Sequence, residues 1–459
     1  MIESKYLARA REIAEFIKER DNFVLVSHYD ADGLSAAGIM GQALKRLGKN
    51  FSLNPVKKLD QDTISELPSD SPVIFVDLGS GQFSQLQAHL TDFVVCDHHE
   101  VEGFDLPNHL NAHLIGLDGA REVSGAGMAY LVARELSNAN RDLSGLAIVG
   151  AVGDMQDSSG ELIGFNRKIL EDAVIADVLS VKKDIRLFGR HTRPLVQFLN
   201  YSSEPFFLGL SGNEEACVRF LSDLGIPIKR GDEWLRYVDL TEEEKKRLIT
   251  GLYVYGLNIG MDEKALRALV GEVYEFKNEE EKSYLRDVKD FATLLNACGR
   301  HGEMETGIMV AMGDRGKHYK KALNVLQKHR QAIHDALEWV YENGIEERKN
   351  FYLLDGIDVI KDTIIGVVAG ILYNAGFVKR DKPIIALARD EGGNIKVSGR
   401  ANGSLIERGL DLGKLFSELC KEFGCEGGGH NIAAGATITP DLRDKFLDKI
   451  DIGIRKQVS

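Results

Sequence analysis

The chain reads as an α/β protein: a parallel-sheet first domain carries a helical insertion and is joined by a long helix to a smaller α/β domain. Three observations carry this. Apolar runs at Phe23–Ser27, Val73–Val76 and Phe93–Cys96 alternate with helical stretches over the first 155 residues, the rhythm of parallel strands with helical crossovers. From about Gly160 to Phe291 that rhythm fades into segments rich in Glu and Lys, such as Thr241–Leu248 and Asn278–Lys282. From about Asn350 strands return. At 459 residues the chain has room for about three units of ~150 residues.

The elements follow in order. Residues 1–20 form an amphipathic, charged helix. The three strands each end in polar residues, His28–Gly33, Asp77 and Asp97–His99, where ligands gather in parallel sheets. Leu146–Val152 reads as a further strand before Asp154. The boundaries expected are 1–160 for the first domain, 161–310 for the insertion and the return to the core, 311–345 for the linking helix and 346–459 for the last domain. Phe291–Glu303 breaks the helical pattern with a polar, glycine-containing turn, and Arg315–His334 then forms a long basic helix. That helix is either a solvated face or a surface that tracks phosphates. In the last domain Pro383–Ala388 and Asn394–Ser398 flank Arg389–Gly393, a hairpin turn. An amphipathic helix at Leu412–Phe423 precedes Gly424–His430.

Composition narrows the class. Charged residues make up 28% and hydrophobic residues 44%, and the net charge is -13, a globular balance rather than a disordered one. Net acidity argues against a generally basic coat for nucleic acid but leaves room for a local basic channel. The five cysteines are scattered and contain no CxxC pair, which argues against a disulfide framework or a structural zinc site. No apolar run reaches the ~20 residues of a membrane span, and the expected compartment is a reducing cytoplasm.

Asp30 and Asp32 follow the first strand, and Gly33 permits a turn that aims both into one cleft. Two anions so close need a cation. Asp77 and Asp154 add carboxylates and His98 an imidazole, a donor set suited to Mn²⁺, Mg²⁺, Co²⁺ or Zn²⁺ rather than to a thiolate metal. Asp77 taken alone could be a turn residue. Ser124–Gly127 opens a helix and reads either as an anion site or as a tight packing of helix on sheet.

At this point a family becomes visible. Asp97-His98-His99 resembles the signature of the DHH phosphoesterase superfamily, with Asp30-Ala31-Asp32 as its first motif, Asp77 its second and Asp154 its fourth. Gly427–His430 resembles the GGGH motif of the DHHA1 domain, and Asn296–Arg300 (NACGR) is similar to an element of RecJ-type exonucleases. The resemblance spans most of the chain and is nearest to archaeal RecJ-like nucleases, a group that includes the GINS-associated nuclease. The chain departs from the pattern at Val26, where many members have histidine, and at His28, where bacterial RecJ often has aspartate.

The resemblance implies a two-Mn²⁺ centre held by Asp30, Asp32, Asp77, His98 and Asp154, with Asp77 bridging and Mg²⁺ or Co²⁺ as substitutes. His28 joins it as a ligand or as a hydrogen-bond partner of one. His99 is assigned to the phosphate or to proton transfer, and Asp97 to orienting a histidine. Substrate contacts fall to Ser124, Asn296, Arg300, Ser398, Arg400, Gly428, Gly429 and His430, the arginines clamping oxygens. The implied activity is exonucleolytic hydrolysis of single-stranded DNA or RNA lying in a cleft between the two α/β domains. Replication or repair is the implied setting, with a GINS-type complex as partner. The rivals are a small-substrate phosphodiesterase for cyclic dinucleotides or short oligonucleotides, and a Cdc45-like replisome scaffold.

Overall fold

A computed structural model describes residues 2–101, 105–202 and 205–458. The chain divides into two compact units, residues 1–198 with 218–327 and residues 199–217 with 328–459. The division falls inside the long helix Lys317–Asn343.

The first unit is built on five parallel strands, β1 (Asn22–His28), β2 (Asn50–Val56), β3 (Val73–Val76), β4 (Phe93–Asp97) and β5 (His109–Asn111), in the order β2-β1-β3-β4-β5. Alternate strand residues go to opposite faces. Leu25, Ile74 and Val94 enter one apolar layer with the helices Ala31–Arg46 and Gly125–Leu136, and Val26, Phe75 and Val95 enter the other. In this strand order the chain reverses direction across the sheet between β1 and β3, and the crevice at their carboxyl ends is where such sheets bind ligands.

Leu146–Val152, expected as a strand, lies instead in the helix Ser144–Gly153. Every residue of that helix is buried except Gly153 at its end, next to Asp154, and Gly153 faces Ala31. A helix covered on all sides shows no apolar period, so an unbroken apolar run cannot separate the two assignments.

The insertion is mostly helical but not strand-free. β6 (Leu179–Ile185) pairs along its whole length with β9 (Val270–Phe276), Leu179 opposite Phe276, and β7 (Lys229–Arg230) pairs with β8 (Glu233–Trp234). β6 and β9 lie so far apart in the chain that no turn signal joins them, and the charged outer face of β6 disguises it further.

In the second unit six strands are ordered β10-β11-β12-β13-β15-β14. They are β10 (Glu346–Glu347), β11 (Tyr352–Asp355), β12 (Ile384–Arg389), β13 (Ile395–Arg400), β14 (Glu426–Gly429) and β15 (Ala433–Ile438). β11 and β12 are parallel and the other neighbours antiparallel. Ile385, Leu387 and Val397 pack with Phe416 and Phe446 on one face, and Ile384 and Ala386 pack with Ile365 and Leu372 on the other. The β12–β13 hairpin turns through Asp390–Asn394, with Gly393 at φ +83°.

Candidate metal centre

Each strand end delivers one part of the cluster. Asp30 follows β1 and caps the helix Ala31–Arg46, accepting from the Gly33 amide at 3.0 Å. A side chain at Gly33 would overlap the His28 carbonyl, so the Asp-x-Asp-Gly turn requires glycine there. Asp32, in the first helical turn, is fully buried. Its carboxylate accepts from the amides of Gly125 (2.6 Å) and Ala126 (2.9 Å).

The helix N-terminus read from sequence as an anion site is therefore taken by an internal carboxylate. Ser124 is buried, and its hydroxyl accepts from Gly127 at 3.2 Å to cap its own helix, so its part here is to cap rather than to hold substrate. Glycine is again required around the carboxylates. A Cβ at Gly150 would overlap Asp32, and one at Gly125 would overlap Asp77.

Asp77 leaves β3 with φ +62°, an uncommon conformation for a residue with a side chain and one that collects at functional sites. It is buried, and among the described residues neither carboxylate oxygen accepts a hydrogen bond of good geometry. Its Oδ1 lies 3.2 Å from His98 Nε2 and its Oδ2 3.7 Å from His28 Nδ1. With only imidazoles beside them, two buried anionic oxygens are costly unless a cation answers them.

His98 Nδ1 sits 2.7 Å from the Gly119 carbonyl, so Nδ1 donates there and Nε2 is the nitrogen turned to the carboxylates. That Nε2 faces Asp32 (3.6 Å), Asp77 (3.2 Å) and Asp154 (3.4 Å). His28 Nδ1 is 2.9 Å from Asp30 Oδ2 but outside hydrogen-bond geometry. The donor atoms form three sets, Asp77–His98–His99, His28–Asp30–Asp77 and Asp32–His98–Asp154, each within 4.8 Å. Asp77 belongs to two of them.

The electrostatics agree. Burial, with Asp77 and Asp154 beside it, pushes the Asp32 carboxyl well up, and burial with Asp30 and Asp77 lifts Asp154 to about 7 against the opposing pull of His98. Burial alone would lower both His28 and His98, yet the surrounding carboxylates outweigh it and raise each. A divalent cation removes this conflict.

Asp97 stands apart as a satisfied carboxylate. It accepts from the His98 amide (2.8 Å), the Ser80 amide (3.0 Å) and His99 Nδ1 (2.8 Å). His99 is thereby held half-exposed, its pKa lifted to about 9 because Asp97 outweighs the effect of burial.

The helix Val288–Arg300 presents Asn296, Gly299 and Arg300 on one face. Asn296 Oδ1 accepts from the Ala31 amide at 3.0 Å, so this oxygen pins the turn between the two aspartates instead of reaching a substrate. A side chain at Gly299 would overlap the Tyr29 carbonyl. Arg300 lies near Tyr29 and Asp30, has no ion pair among the described residues, and is lowered by burial against the pull of both. Of the basic stretch, Arg315 is bound to Glu279 (2.6 Å) and Lys321 to Glu303, which takes two of its cations from any phosphate track.

In the second unit Ser398 and Arg400 lie on β13, and both approach Gly366 of the helix Asp362–Asn374, Arg400 Nη2 lying 2.6 Å from where a Cβ would stand. The glycines assigned to substrate contact lie on edge strand β14, Gly428 opposite Gly435 and Gly429 opposite Ala434. Gly429 (φ +135°) abuts Ala433 and Ala434, and the space around Gly428 is open. His430 is exposed beside them.

Sequence reasoning passed over the residues behind the ligands. Gln156 Nε2 donates to Gly119 O at 2.9 Å, the carbonyl that orients His98. Asn111 Nδ2 donates to Ser80 Oγ (2.8 Å) and to the His99 carbonyl (2.9 Å). The glycines of GLAIVGAVGD offered a signal, since a buried helix with three of them invites close approach. We expect Gly150→Ala to destabilise the protein by roughly 1–3 kcal/mol through overpacking and to shrink the rise in Tm that Mn²⁺ produces. Ser124→Ala should cost about 1 kcal/mol and keep that rise. Thermal scans with and without Mn²⁺ check both.

A parallel sheet with carboxylates and imidazoles converging at its reversal point defines a metal-binding α/β protein. The description "DHH family, N-terminal domain" matches residues 22–151, "DHH-CID domain" residues 187–270 and "DHHA1 domain" residues 357–455. An uncharacterized protein of Methanocaldococcus jannaschii is 31% identical over 446 residues, covering 95% of this chain and 93% of that one. The chain belongs to the DHH superfamily and is RecJ-like in architecture. RecJ of Thermus thermophilus, known in complex with Mn²⁺ and with Mg²⁺, superposes in its Mn²⁺ form with TM-score 0.59 at 16% identity over 98% of this chain. The chain spans only 55% of that RecJ. An exonuclease RecJ bound to manganese gives 0.55 at 17% identity over 97% of this chain and 94% of its own. CDC45 from Entamoeba histolytica gives 0.63 at 13% identity over 96% and 97%. At these identities what is shared is the fold. Among the described residues no helix is long and apolar enough to cross a membrane.

Proposed function

We propose that this protein is a divalent-metal-dependent phosphodiesterase acting as an exonuclease on single-stranded DNA or RNA, with Mn²⁺ the favoured ion. One observation carries the reading. Asp77 is buried, its oxygens accept no hydrogen bond among the described residues, and it shares one donor set with His28 and Asp30 and another with His98 and His99, while His98 also belongs to the set with Asp32 and Asp154, an arrangement that suits a bridging carboxylate. His28 and Asp30 would complete one position, and Asp32, His98 and Asp154 the other. Divalent ions held by these residues would supply an acidified water as nucleophile and would offset charge on the scissile phosphate.

The protein's own groups do the rest. His99, held by Asp97 at 2.8 Å, presents its outer nitrogen as a donor to a phosphate oxygen or to the departing oxygen. Arg300 offers a guanidinium for a phosphate beside the Asp30 turn. In the second unit, Ser398, Arg400, Gly428, Gly429 and His430 are assigned to holding a nucleotide. Fold alone does not choose between a nuclease and a scaffold of the CDC45 kind, since both superpose. The intact ligand set favours the enzyme.

Single strands of DNA and RNA labelled at either end, incubated with Mn²⁺, should release mononucleotides stepwise from one end. Cleavage confined to dinucleotides, or none with any divalent ion, would overturn the reading. Arg300→Ala should raise KM about 10- to 100-fold, the ~1.5–3 kcal/mol of a charged hydrogen bond, and Arg300→Lys should not restore it. Normal KM with lost Mn²⁺ binding would refute the assignment.

A further inference from the structure

Of the five cysteines, Cys96, Cys217 and Cys298 are buried. The remaining two meet. Cys420 lies near the end of the helix Leu412–Phe423, and Gly424 at φ +67° closes that helix and reverses the chain. The reversal lets the Cys425 amide donate to the Cys420 carbonyl at 2.9 Å and brings the two Sγ atoms to 2.7 Å, both as free thiols. Cys420 is buried among Phe416, Leu419 and Ala436, whereas Cys425 is only half-buried. The next strand, β14, packs on the same sulfur. A Cβ built at Gly427 would lie 2.5 Å from Cys420 Sγ.

We propose that Cys420 and Cys425 are an oxidation site that closes to an intramolecular disulfide, tying the end of this helix to the start of β14. The oxidant is a peroxide. Cys425, the reachable thiol, reacts first: its sulfur takes one oxygen from hydrogen peroxide to give sulfenic acid, and water leaves. The Cys420 sulfur then attacks Cys425 Sγ, the S–S bond forms, and the hydroxyl leaves as a second water with the Cys420 proton. Two thiols are oxidised by two electrons and one peroxide is reduced to two waters. A dithiol reductant reverses the bond. The proximity has already been provided by the Gly424 reversal, so closing the bond needs no rearrangement of the sheet. The inference does not depend on the hydrolytic reading.

The consequence falls on β14, the edge strand that carries Gly428 and Gly429. A bond at its base restrains local opening of the strand from the helix.

The test treats the full-length folded protein with stoichiometric hydrogen peroxide and then blocks free thiols with iodoacetamide. Trypsin cuts after Lys421, between the two cysteines, so the bridge appears as two peptides joined only through sulfur and separated by dithiothreitol. Cys425→Ser, at a half-exposed position that should fold, must abolish the joined species. Hydrogen exchange of residues 426–429 should slow several-fold on oxidation of the unmodified sequence and be unchanged in Cys425→Ser. Conversion of Cys425 to sulfinic acid without joined peptides, or both thiols alkylated after peroxide, overturns the site. A bridge that leaves exchange of 426–429 unaltered overturns the restraint on β14.

Discussion

Asp77→Asn should abolish metal-dependent hydrolysis, by about 10³-fold or more, equivalent to roughly 4 kcal/mol of transition-state stabilisation, while leaving the protein folded. Asparagine is the informative substitution because it keeps the shape of aspartate and tolerates the left-handed backbone found at φ +62°. What it removes is the charge that Asp77 brings to the set with His28 and Asp30 and to the set with His98 and His99. A second effect follows from the same geometry. Without a cation, the Asp77 carboxylate faces Asp32 and Asp154, and both are pushed up in pKa by burial together with their carboxylate neighbours. Neutralising Asp77 relieves that repulsion and also removes the attraction that raises His98 and His28, so the metal-free variant should melt close to the unmodified protein. The stabilisation by Mn²⁺, which acts by mass action on the folded state, should largely disappear. Turnover with Mn²⁺ and thermal scans at several Mn²⁺ concentrations decide the matter together. Full Mn²⁺-dependent turnover in folded Asp77→Asn protein would remove the bridging assignment.

The parts of this centre readable in the sequence are those fixed by local rules. Apolar runs ending in Asp or His mark strand ends, and the carboxyl edge of a parallel sheet is where they converge, which is why His28, Asp30, Asp32, Asp77 and His98 could be grouped without coordinates. The unreadable parts are partnerships across the chain. A helix N-terminus at Gly125 announces that some anion belongs there but not that it is Asp32, 93 residues away. The basic stretch after Arg315 looked free because Glu279 and Glu303, which hold Arg315 and Lys321, are remote in sequence or across a turn. Gly427–Gly429 gave no sign of a strand because glycine carries no strand preference. The structure gives those residues a partner strand and packs Gly427 and Gly429 closely on their neighbours.

Arg190→Ala should be the most destabilising single change outside the cluster, at about 3–5 kcal/mol, because it strands buried carboxylates without their cation. Arg190 is fully buried. It donates to Asp287 (2.6 and 3.0 Å), Glu275 (2.8 Å) and Asp184 (3.3 Å). These three acids belong to different elements. Asp184 is on β6, Glu275 on β9, and Asp287 caps the helix Val288–Arg300, whose Asn296 pins the Asp30–Asp32 turn. The pH dependence separates charge from packing. In the unmodified protein burial works against ionisation of Glu275, but His191, Arg190 and Lys182 outweigh it and hold the carboxyl far below its usual range. A depressed pKa contributes stability that is present above the ordinary glutamate value of about 4.3 and is lost as the pH falls through the folded-state value. Removing the guanidinium leaves Glu275 with His191 and Lys182 but without one of its three cationic partners, so its depression shrinks and the variant has less of this stability to lose on acidification. The deficit of Arg190→Ala should therefore be largest near neutrality and shrink as the pH falls below the ordinary glutamate value, to about 3. Urea unfolding at both pH values, followed by Trp234 fluorescence in a Trp339→Phe background, measures it. An equal deficit at the two pH values would mean that the arginine acts through the packing of its stem and not through its charge.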